Sequence, residues 1–186
     1  MFLRKAKRRE PVPITMSGVR MGERLLQVGV DDARVAATIA AKVGLSGSAA
    51  AIVTAAADAA RMKSSAADAG ALVDVQTAPL DQMPFADGAF DVVVVHAVTG
   101  LLNSLDPATR TGALRECHRV LRHGGRIVTI ESGTQRGIAA LLRRPRANTE
   151  YAARGGTVAA LERAGFHPVR IVGDVEGLRF IEGGRR

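Results

Sequence analysis

The chain has 186 residues, of which 47% are hydrophobic, and a formal net charge of +8. This length and apolar content predict one globular domain with a full core, which excludes global disorder. The single cysteine excludes an internal disulfide framework and a cysteine-based zinc site, and no apolar run approaches the roughly 18 residues of a membrane span. A lone cysteine also suits a reducing compartment, so we expect a cytoplasmic protein.

Residues 1–23 form a basic, proline-containing lead-in, and a second group of arginines lies between Arg136 and Arg154. One interpretation is a solvated tail and a solvated loop. The other is contact with anionic lipid head groups through residues 1–9. Aromatic residues make up only 3% of the chain, so stacking platforms for single-stranded nucleic acid are scarce and nucleic acid is not the expected partner.

Strands and helices alternate along the rest of the chain. Strands are predicted at Arg24–Val28, Ala49–Val53, Ala71–Gln76, Val92–Val98 and Arg126–Glu131, with a final pair within 166–173 and 177–183. Thr54 is expected to cap the helix after the second strand, and that helix should stop at Gly70. Asp106 with Pro107 should begin a later helix, which the glycines at 124 and 125 should end.

This alternation predicts an α/β fold in which a single doubly wound, Rossmann-like sheet occupies residues 24–186. The sheet should be mostly parallel, with a C-terminal antiparallel strand. Folds of this kind bind ligands outside the carboxyl ends of their strands, at the point where strand order reverses. The turn at Gly29, directly after the first strand, is one such end.

Three stretches carry a resemblance to a known family. They are "MPFADGAFDVVVVHAV" (83–98), "ALRECHRVLRHGGRIVTIE" (113–131) and "ALERAGFHPVRIV" (160–172). In this order they resemble the class I S-adenosylmethionine-dependent methyltransferases, and most of all the small-molecule branch that includes the ubiquinone/menaquinone methyltransferases. The resemblance implies S-adenosylmethionine as cofactor. It places the cofactor-binding candidates at Gly29, Val30, Asp31, Val53, Leu80 and His96.

The first loop departs from the family's pattern of an acidic residue followed by three alternating glycines. Here the four positions are Gln27, Gly29, Asp31 and Ala33. Asp31 introduces a carboxylate where the resemblance places the methionine portion of the cofactor. That portion itself carries a carboxylate, so two like charges would face each other. We therefore expect cofactor binding to be weak or altered.

Two further family positions lack their usual acid. The ungapped alignment places Val53, and a shifted alignment Ala57, where the family holds the ribose hydroxyls. Pro79 stands at the adenine position, and Asp81 lies two residues later. Buried polar contacts of this kind are worth about 1–3 kcal/mol each, so their loss should weaken binding further.

Individual side chains leave two interpretations open. His96, at the end of the fourth strand, is either a general base toward a methyl acceptor or a structural histidine with one hydrogen bond. Glu131, at the end of the fifth strand, is either a ligand contact or a helix cap. The remaining histidines lack metal-ligand spacing, so no metal site is predicted.

Three functional hypotheses follow. The first is an active methyltransferase with an unusual cofactor loop. The second is a catalytically silent relative that binds another ligand or a protein, with Asp31 engaging a neighbouring arginine. The third is a basic adaptor that docks on an anionic surface through residues 1–9.

Overall fold

The structure, a computed structural model, describes residues 10–133 and 149–186. The strands are β1 (Arg24–Val28), β2 (Ser48–Val53), β3 (Val73–Thr77), β4 (Phe90–Ala97), β5 (Leu121–Ser132), β6 (Val169–Val175) and β7 (Leu178–Gly184). The helices are α1 (Val12–Met16), α2 (Ala33–Ala41), α3 (Ala56–Asp68), α4 (Leu101–Ser104), α5 (Pro107–Val120), α6 (Thr149–Ala153) and α7 (Gly156–Arg163). The basic segment 1–9 and the arginines from 136 to 146 lie outside the described residues.

One seven-stranded sheet has the order β3-β2-β1-β4-β5-β7-β6. β1 lies parallel to both β2 and β4, while β7 is antiparallel to β5 and to β6. The predicted doubly wound sheet with an antiparallel C-terminal end is therefore confirmed. Strand order reverses between β1 and β4, so the carboxyl ends of these strands form the crevice expected to hold a ligand.

The central strands are apolar on both faces. Val92, Val93, Val94 and Val95 are fully buried, as are Leu25 and Leu26 of the neighbouring strand. The continuous β-branched run predicted this, because helices cover both faces of a parallel sheet. The carboxyl ends of β1 and β4 are therefore fixed by a packed core.

Side-chain caps determine where two helices begin. The Asp106 carboxylate accepts hydrogen bonds from the backbone N–H groups of Ala108 (2.9 Å) and Thr109 (3.1 Å), which confirms the predicted start of α5. Asp32 caps α2 in the same way. The prediction for Thr54 was wrong, because Ala55 is the N-cap residue of α3 and makes no side-chain cap bond.

Several boundaries differ from their predictions; β5, for example, begins at Leu121 instead of Arg126. β3 begins at Val73 instead of Ala71, because the backbone N–H of Ala71 closes the end of α3 by bonding to Ala66 O at 2.9 Å. α5 ends at Val120, before the glycines that were expected to stop it. Arg185 supplies the reason, since its Nη1 donates to the carbonyl oxygens of His118, Arg119 and Leu121 at the end of this helix.

Residues 10–23 pack against the sheet. Ile14 of α1 and Val19 are buried in the same apolar cluster as Leu25 and Ile39. This part of the lead-in therefore contributes to the core. Among the described helices, none has the length and apolar character needed to cross a bilayer.

Candidate functional site

A cavity of about 170 Å³ lies at the carboxyl ends of β1 and β4, and we call it the inner cavity. Its walls come from the turn after β1, the end of β2, the first turn of α3, the end of β4 and the short helix α4. The lining residues are Gly29, Val30, Asp31, Val53, Thr54, Asp58, Leu80, His96, Thr99, Leu101 and Ser104.

The turn after β1 requires glycine for two reasons. Gly29 has a φ of +73°, which L-residues with a side chain rarely adopt. A Cβ at this position would also lie 2.6 Å from Leu101 Cδ2 and 3.2 Å from His96 O. Leu101 of α4 therefore packs directly against the Gly29 backbone.

Asp31 joins the two strand ends. Its Oδ2 accepts a hydrogen bond from the backbone N–H of Val98 at 2.6 Å. Its Oδ1 accepts from the Thr99 backbone N–H at 3.2 Å and also from the Thr99 hydroxyl. Within residues 10–133 and 149–186, the hydrogen-bond partners of Asp31 belong to the loop after β4, and none of them is an arginine. The carboxylate thus spans the crevice and binds β1 to β4.

Gln27 and His96 form a buried pair beneath this bridge. Gln27 is fully buried, and its Nε2 donates to Ala36 O at 3.0 Å. Its Oε1 therefore faces His96 Nε2 at 2.8 Å, and an amide oxygen only accepts. His96 Nε2 must carry the proton, which leaves Nδ1 as the unprotonated nitrogen of the neutral ring.

Burial lowers the pKa of His96 to about 4, although the nearby carboxylates of Asp31 and Asp32 raise it. The ring is therefore neutral at pH 7. A base with so low a pKa accepts a proton poorly near neutrality, where an effective general base has a pKa close to the working pH. The geometry favours the structural interpretation of His96.

A second, wider depression adjoins the first, and we call it the outer cavity. It measures about 470 Å³ and shares Thr54 and Leu80 with the inner cavity. The rest of its wall consists of Thr77, Ala78, Pro79, Asp81, Leu105 and Thr109. Pro79 and Asp81 thus lie on one wall, although sequence counting placed Asp81 too late.

Two aspartates line these cavities, although the alignment placed no acidic residue at the family's ribose and adenine positions. Asp81 lines the outer cavity, and Asp58 lines the inner cavity from the first turn of α3. Asp58 also pairs with Arg61 at 2.6 Å, one helical turn later. The sequence did contain a sign of this residue, because Asp58 directly follows Ala57, the position that the shifted alignment gave. Helix α3 then places its side chain at the inner cavity.

All six sequence-predicted cofactor residues line the inner cavity. Whether they bind a cofactor stays a prediction. Glu131 is not among the lining residues. Its Oε2 accepts from the Thr157 hydroxyl at 2.5 Å in the first turn of α7, and burial raises its pKa. Within residues 10–133 and 149–186, no cluster of His, Cys, Asp and Glu has the composition of a metal site.

A profile of the family described as "Methyltransferase domain" matches residues 26–129, which is more than half of the chain. The chain belongs to the class I S-adenosylmethionine-dependent methyltransferase family. The ubiquinone/menaquinone biosynthesis C-methyltransferase of Geotalea daltonii is 36% identical over 76 residues, which cover 41% of this chain and 30% of that protein. The match thus spans less than a third of this methyltransferase relative.

Two solved structures share the methyltransferase fold. A SAM-dependent methyltransferase from Aquifex aeolicus superposes with a TM-score of 0.71 at 18% identity, over 91% of this chain and 86% of that one. The cyclase SpnF superposes with a TM-score of 0.61 at 22% identity, over 87% of this chain and 56% of that one. At these identities the likeness shows the fold alone.

The inner cavity is small beside typical ligand pockets. Ligand pockets usually measure about 300–1,000 Å³, and the inner cavity at about 170 Å³ is smaller. Asp31 makes hydrogen bonds to Val98 and Thr99 along its wall, and Leu101 packs against Gly29. The outer cavity is large enough for a nucleoside, and Asp81 offers it a hydrogen-bond acceptor.

Proposed function

We propose that this methyltransferase-family chain binds S-adenosylmethionine weakly, with a dissociation constant on the order of 1 mM or higher, and is not an efficient methyltransferase. The observation that carries the proposal is the bridge from the Asp31 carboxylate to the backbone of Val98 and Thr99. The bridge supports the proposal because the family resemblance places this loop beside the methionine portion of the cofactor.

Electrostatics support the proposal. The methionine portion ends in a carboxylate, which would face the Asp31 carboxylate across a small, half-buried cavity. A helix N-terminus attracts such an anion, but Asp32 already accepts from the N–H groups of Arg34 (2.9 Å) and Val35 (3.3 Å). The favourable anion position at the start of α2 is therefore taken by the protein itself.

The expected loss of affinity is large. Missing polar contacts to the cofactor cost about 1–3 kcal/mol each. Two such losses, together with repulsion from Asp31, correspond to roughly three orders of magnitude at about 1.4 kcal/mol per tenfold. A conventional micromolar affinity would then become millimolar.

His96 takes no catalytic role in this proposal. Its Nε2–H is committed to Gln27, and its lowered pKa makes it a poor base at neutral pH. We assign it a positioning role instead. Through Gln27 it connects the end of β4 to Ala36 of α2, and so supports the strand ends that Asp31 joins.

A second candidate function is methyl transfer with an unusual loop. The outer cavity favours it, because its volume suits a nucleoside and Asp81 lines its wall. The acid Asp58 in the neighbouring inner cavity adds a second acceptor for hydroxyl groups. The cyclase SpnF has the same fold, so the fold alone does not decide between methyl transfer and another activity.

Isothermal titration calorimetry with S-adenosylmethionine and S-adenosylhomocysteine tests the proposal. Asp31→Gly should tighten binding about tenfold, because it removes one repulsive charge and reopens the loop. Asp68→Gly is the matched control, since it removes one aspartate charge at the exposed end of α3, outside both cavities. A low-micromolar dissociation constant for the unmodified protein would contradict the proposal.

A change at Val53 is unsuitable for restoring the site. Val53 is buried in an apolar cluster with Val30 and Met62, so an aspartate there would be an unpaired buried charge. Thermal denaturation with and without ligand should accompany the calorimetry. A ligand-induced rise of the melting temperature in Asp31→Gly, absent from Asp68→Gly, supports reopening over collapse of the cavity.

A further inference from the structure

A third pocket lies between α5, α6 and α7, away from both cavities at the strand ends. It measures about 70 Å³, and three arginines, Arg110, Arg154 and Arg163, line it together with Thr111, Glu150 and Tyr151. We call it the arginine pocket. The methyltransferase resemblance and the proposed function leave it without a role.

Arg110 is the unusual member of this group. It is only 7% exposed, yet no carboxylate among the described residues forms an ion pair with it. Its Nε and Nη2 donate to the carbonyl oxygens of Leu102 and Leu105, each at 2.5 Å. The Tyr151 ring lies 4.1 Å from its Cζ. Among the described residues these hydrogen-bond partners are neutral, so they orient the guanidinium but contribute no negative charge to balance it.

The other two arginines add positive charge at the rim. Arg163 Nη2 donates to Arg154 O at 2.8 Å, which places the two residues side by side. Arg154 pairs with Glu150 at 2.7 Å, and both of these side chains are about two-thirds exposed. The lining of the pocket therefore contains three arginines and one carboxylate. The carboxylate of Glu150 pairs with the exposed Arg154, and not with the buried Arg110.

We propose that the arginine pocket binds an oxyanion, the phosphate or carboxylate group of a ligand. Guanidinium groups match the oxygens of both anions and form charge-assisted hydrogen bonds with them. A volume of about 70 Å³ holds one such group and is too small for a whole nucleotide. The anion balances the buried charge of Arg110.

The test uses the full chain and two probes, inorganic phosphate and acetate, in separate calorimetric titrations at constant ionic strength. The unmodified protein should bind at least one of them saturably, and the stronger probe identifies the anion class. Loss of one charge-assisted hydrogen bond should weaken binding about tenfold or more in Arg163→Gln and in Arg154→Gln. Arg110 is left unchanged because it also holds the carbonyls of Leu102 and Leu105.

Arg170→Gln is the matched control. Arg154 and Arg170 have nearly equal side-chain exposure, 65% and 66%, and each pairs with one glutamate, but Arg170 lies on β6 outside the pocket. Its affinity for the probe should equal that of the unmodified protein. The proposal is overturned if neither probe binds saturably, if both pocket variants bind like the parent, or if Arg170→Gln loses as much affinity as they do.

Discussion

The inner and outer cavities share Thr54 and Leu80, yet their walls are held in different ways. Around the inner cavity, the Asp31 bridge and the Gln27–His96 pair tie β1, β4 and α2 together. The outer cavity is lined by the segment after β3 and by Thr109 of α5, and it remains nearly three times as large. The inner cavity is thus small and crossed by hydrogen bonds, while the outer cavity has a volume typical of ligand sites.

The difference follows from a single exchange of residue type in the first loop. A glycine at position 31 would leave the backbone N–H groups of Val98 and Thr99 to a ligand. Asp31 satisfies these donors itself, which matters most for the part-buried Val98 N–H, because the exposed Thr99 N–H can also bond to water. The Asp31 bridge therefore contributes to the stability of the protein, and removing it should cost stability.

The largest effect is expected from Gly29→Ala, which attacks the inner cavity directly. The positive φ costs about 1–2 kcal/mol for an L-residue, and the contact with Leu101 adds overpacking of about 1–3 kcal/mol. We expect a loss of about 3 kcal/mol in urea denaturation. Gly70→Ala is the control, since Gly70 has a φ of +65° but nothing within 4 Å of its Cβ position.

Gly70→Ala should therefore lose only the backbone contribution, about 1 kcal/mol. The difference between the two variants measures how tightly α4 is packed over the turn after β1. Equal losses in Gly29→Ala and Gly70→Ala would mean that Leu101 yields freely and the inner cavity opens at little cost.

The second effect concerns the buried imidazole of the inner cavity. The pKa of His96 falls from 6.5 to about 4 on folding, so protonation favours the unfolded chain. Stability should therefore fall as the pH drops from about 6.5 towards 4, by up to about 2 kcal/mol at pH 5 from this group alone.

Urea denaturation at pH 7 and pH 5 measures this effect. His96→Gln retains a hydrogen-bonding partner for Gln27 and should lose less stability between the two pH values than the unmodified protein. His123→Gln, at an exposed histidine, should behave like the parent. Parallel pH profiles for His96→Gln and the parent would show that His96 is not the buried, neutral group that the structure describes.

The third prediction tests the two cavities separately, with adenosine and methionine as fragments of the cofactor. Adenosine should bind the unmodified protein and Asp31→Gly with equal affinity, because the outer cavity does not involve Asp31. Methionine should bind measurably only to Asp31→Gly, with a gain of about tenfold or about 1.4 kcal/mol. Calorimetric titrations of both fragments measure this, and a gain for adenosine as large as that for methionine would show that the cavities act as one site.

Deletion of residues 1–9 is expected to have the smallest effect on ligand binding at the two cavities. Ligand affinity and melting temperature should not change. Association with anionic vesicles should be lost, because each Lys or Arg near such a surface contributes about 1 kcal/mol at low salt. Co-sedimentation at low and high salt measures this, and equal sedimentation of full-length and truncated protein at low salt would remove the proposed membrane role.

Local chemistry made several features predictable from sequence. Asp106 followed by Pro107 determines the start of α5, because a cap and a fixed φ act within a few residues. The β-branched run of β4 predicts a strand buried on both faces. Gly29 and Asp31 follow a strand at the switch point, so their place in the crevice was predictable as well.

Other features depend on residues distant in sequence and were not predictable in the same way. α5 ends where Arg185 reaches its last carbonyl groups, more than 60 residues further along the chain. Asp58 enters the inner cavity because α3 packs beside β2, and Leu101 does so because a four-residue helix that the pattern did not predict follows β4. Neither contact leaves a periodic signal in the chain.

The sequence by itself determined the alternation of strands and helices, the position of the crevice and the presence of a carboxylate in the first loop. Only the tertiary structure decided what that carboxylate does. A free Asp31 would repel an anionic ligand, whereas the folded protein directs it to Val98 and Thr99, 67 and 68 residues away. The reason is that backbone donors at a strand end, such as the part-buried Val98 N–H, bond to an acceptor in reach, and which acceptor is in reach depends on how β1 and β4 pack side by side.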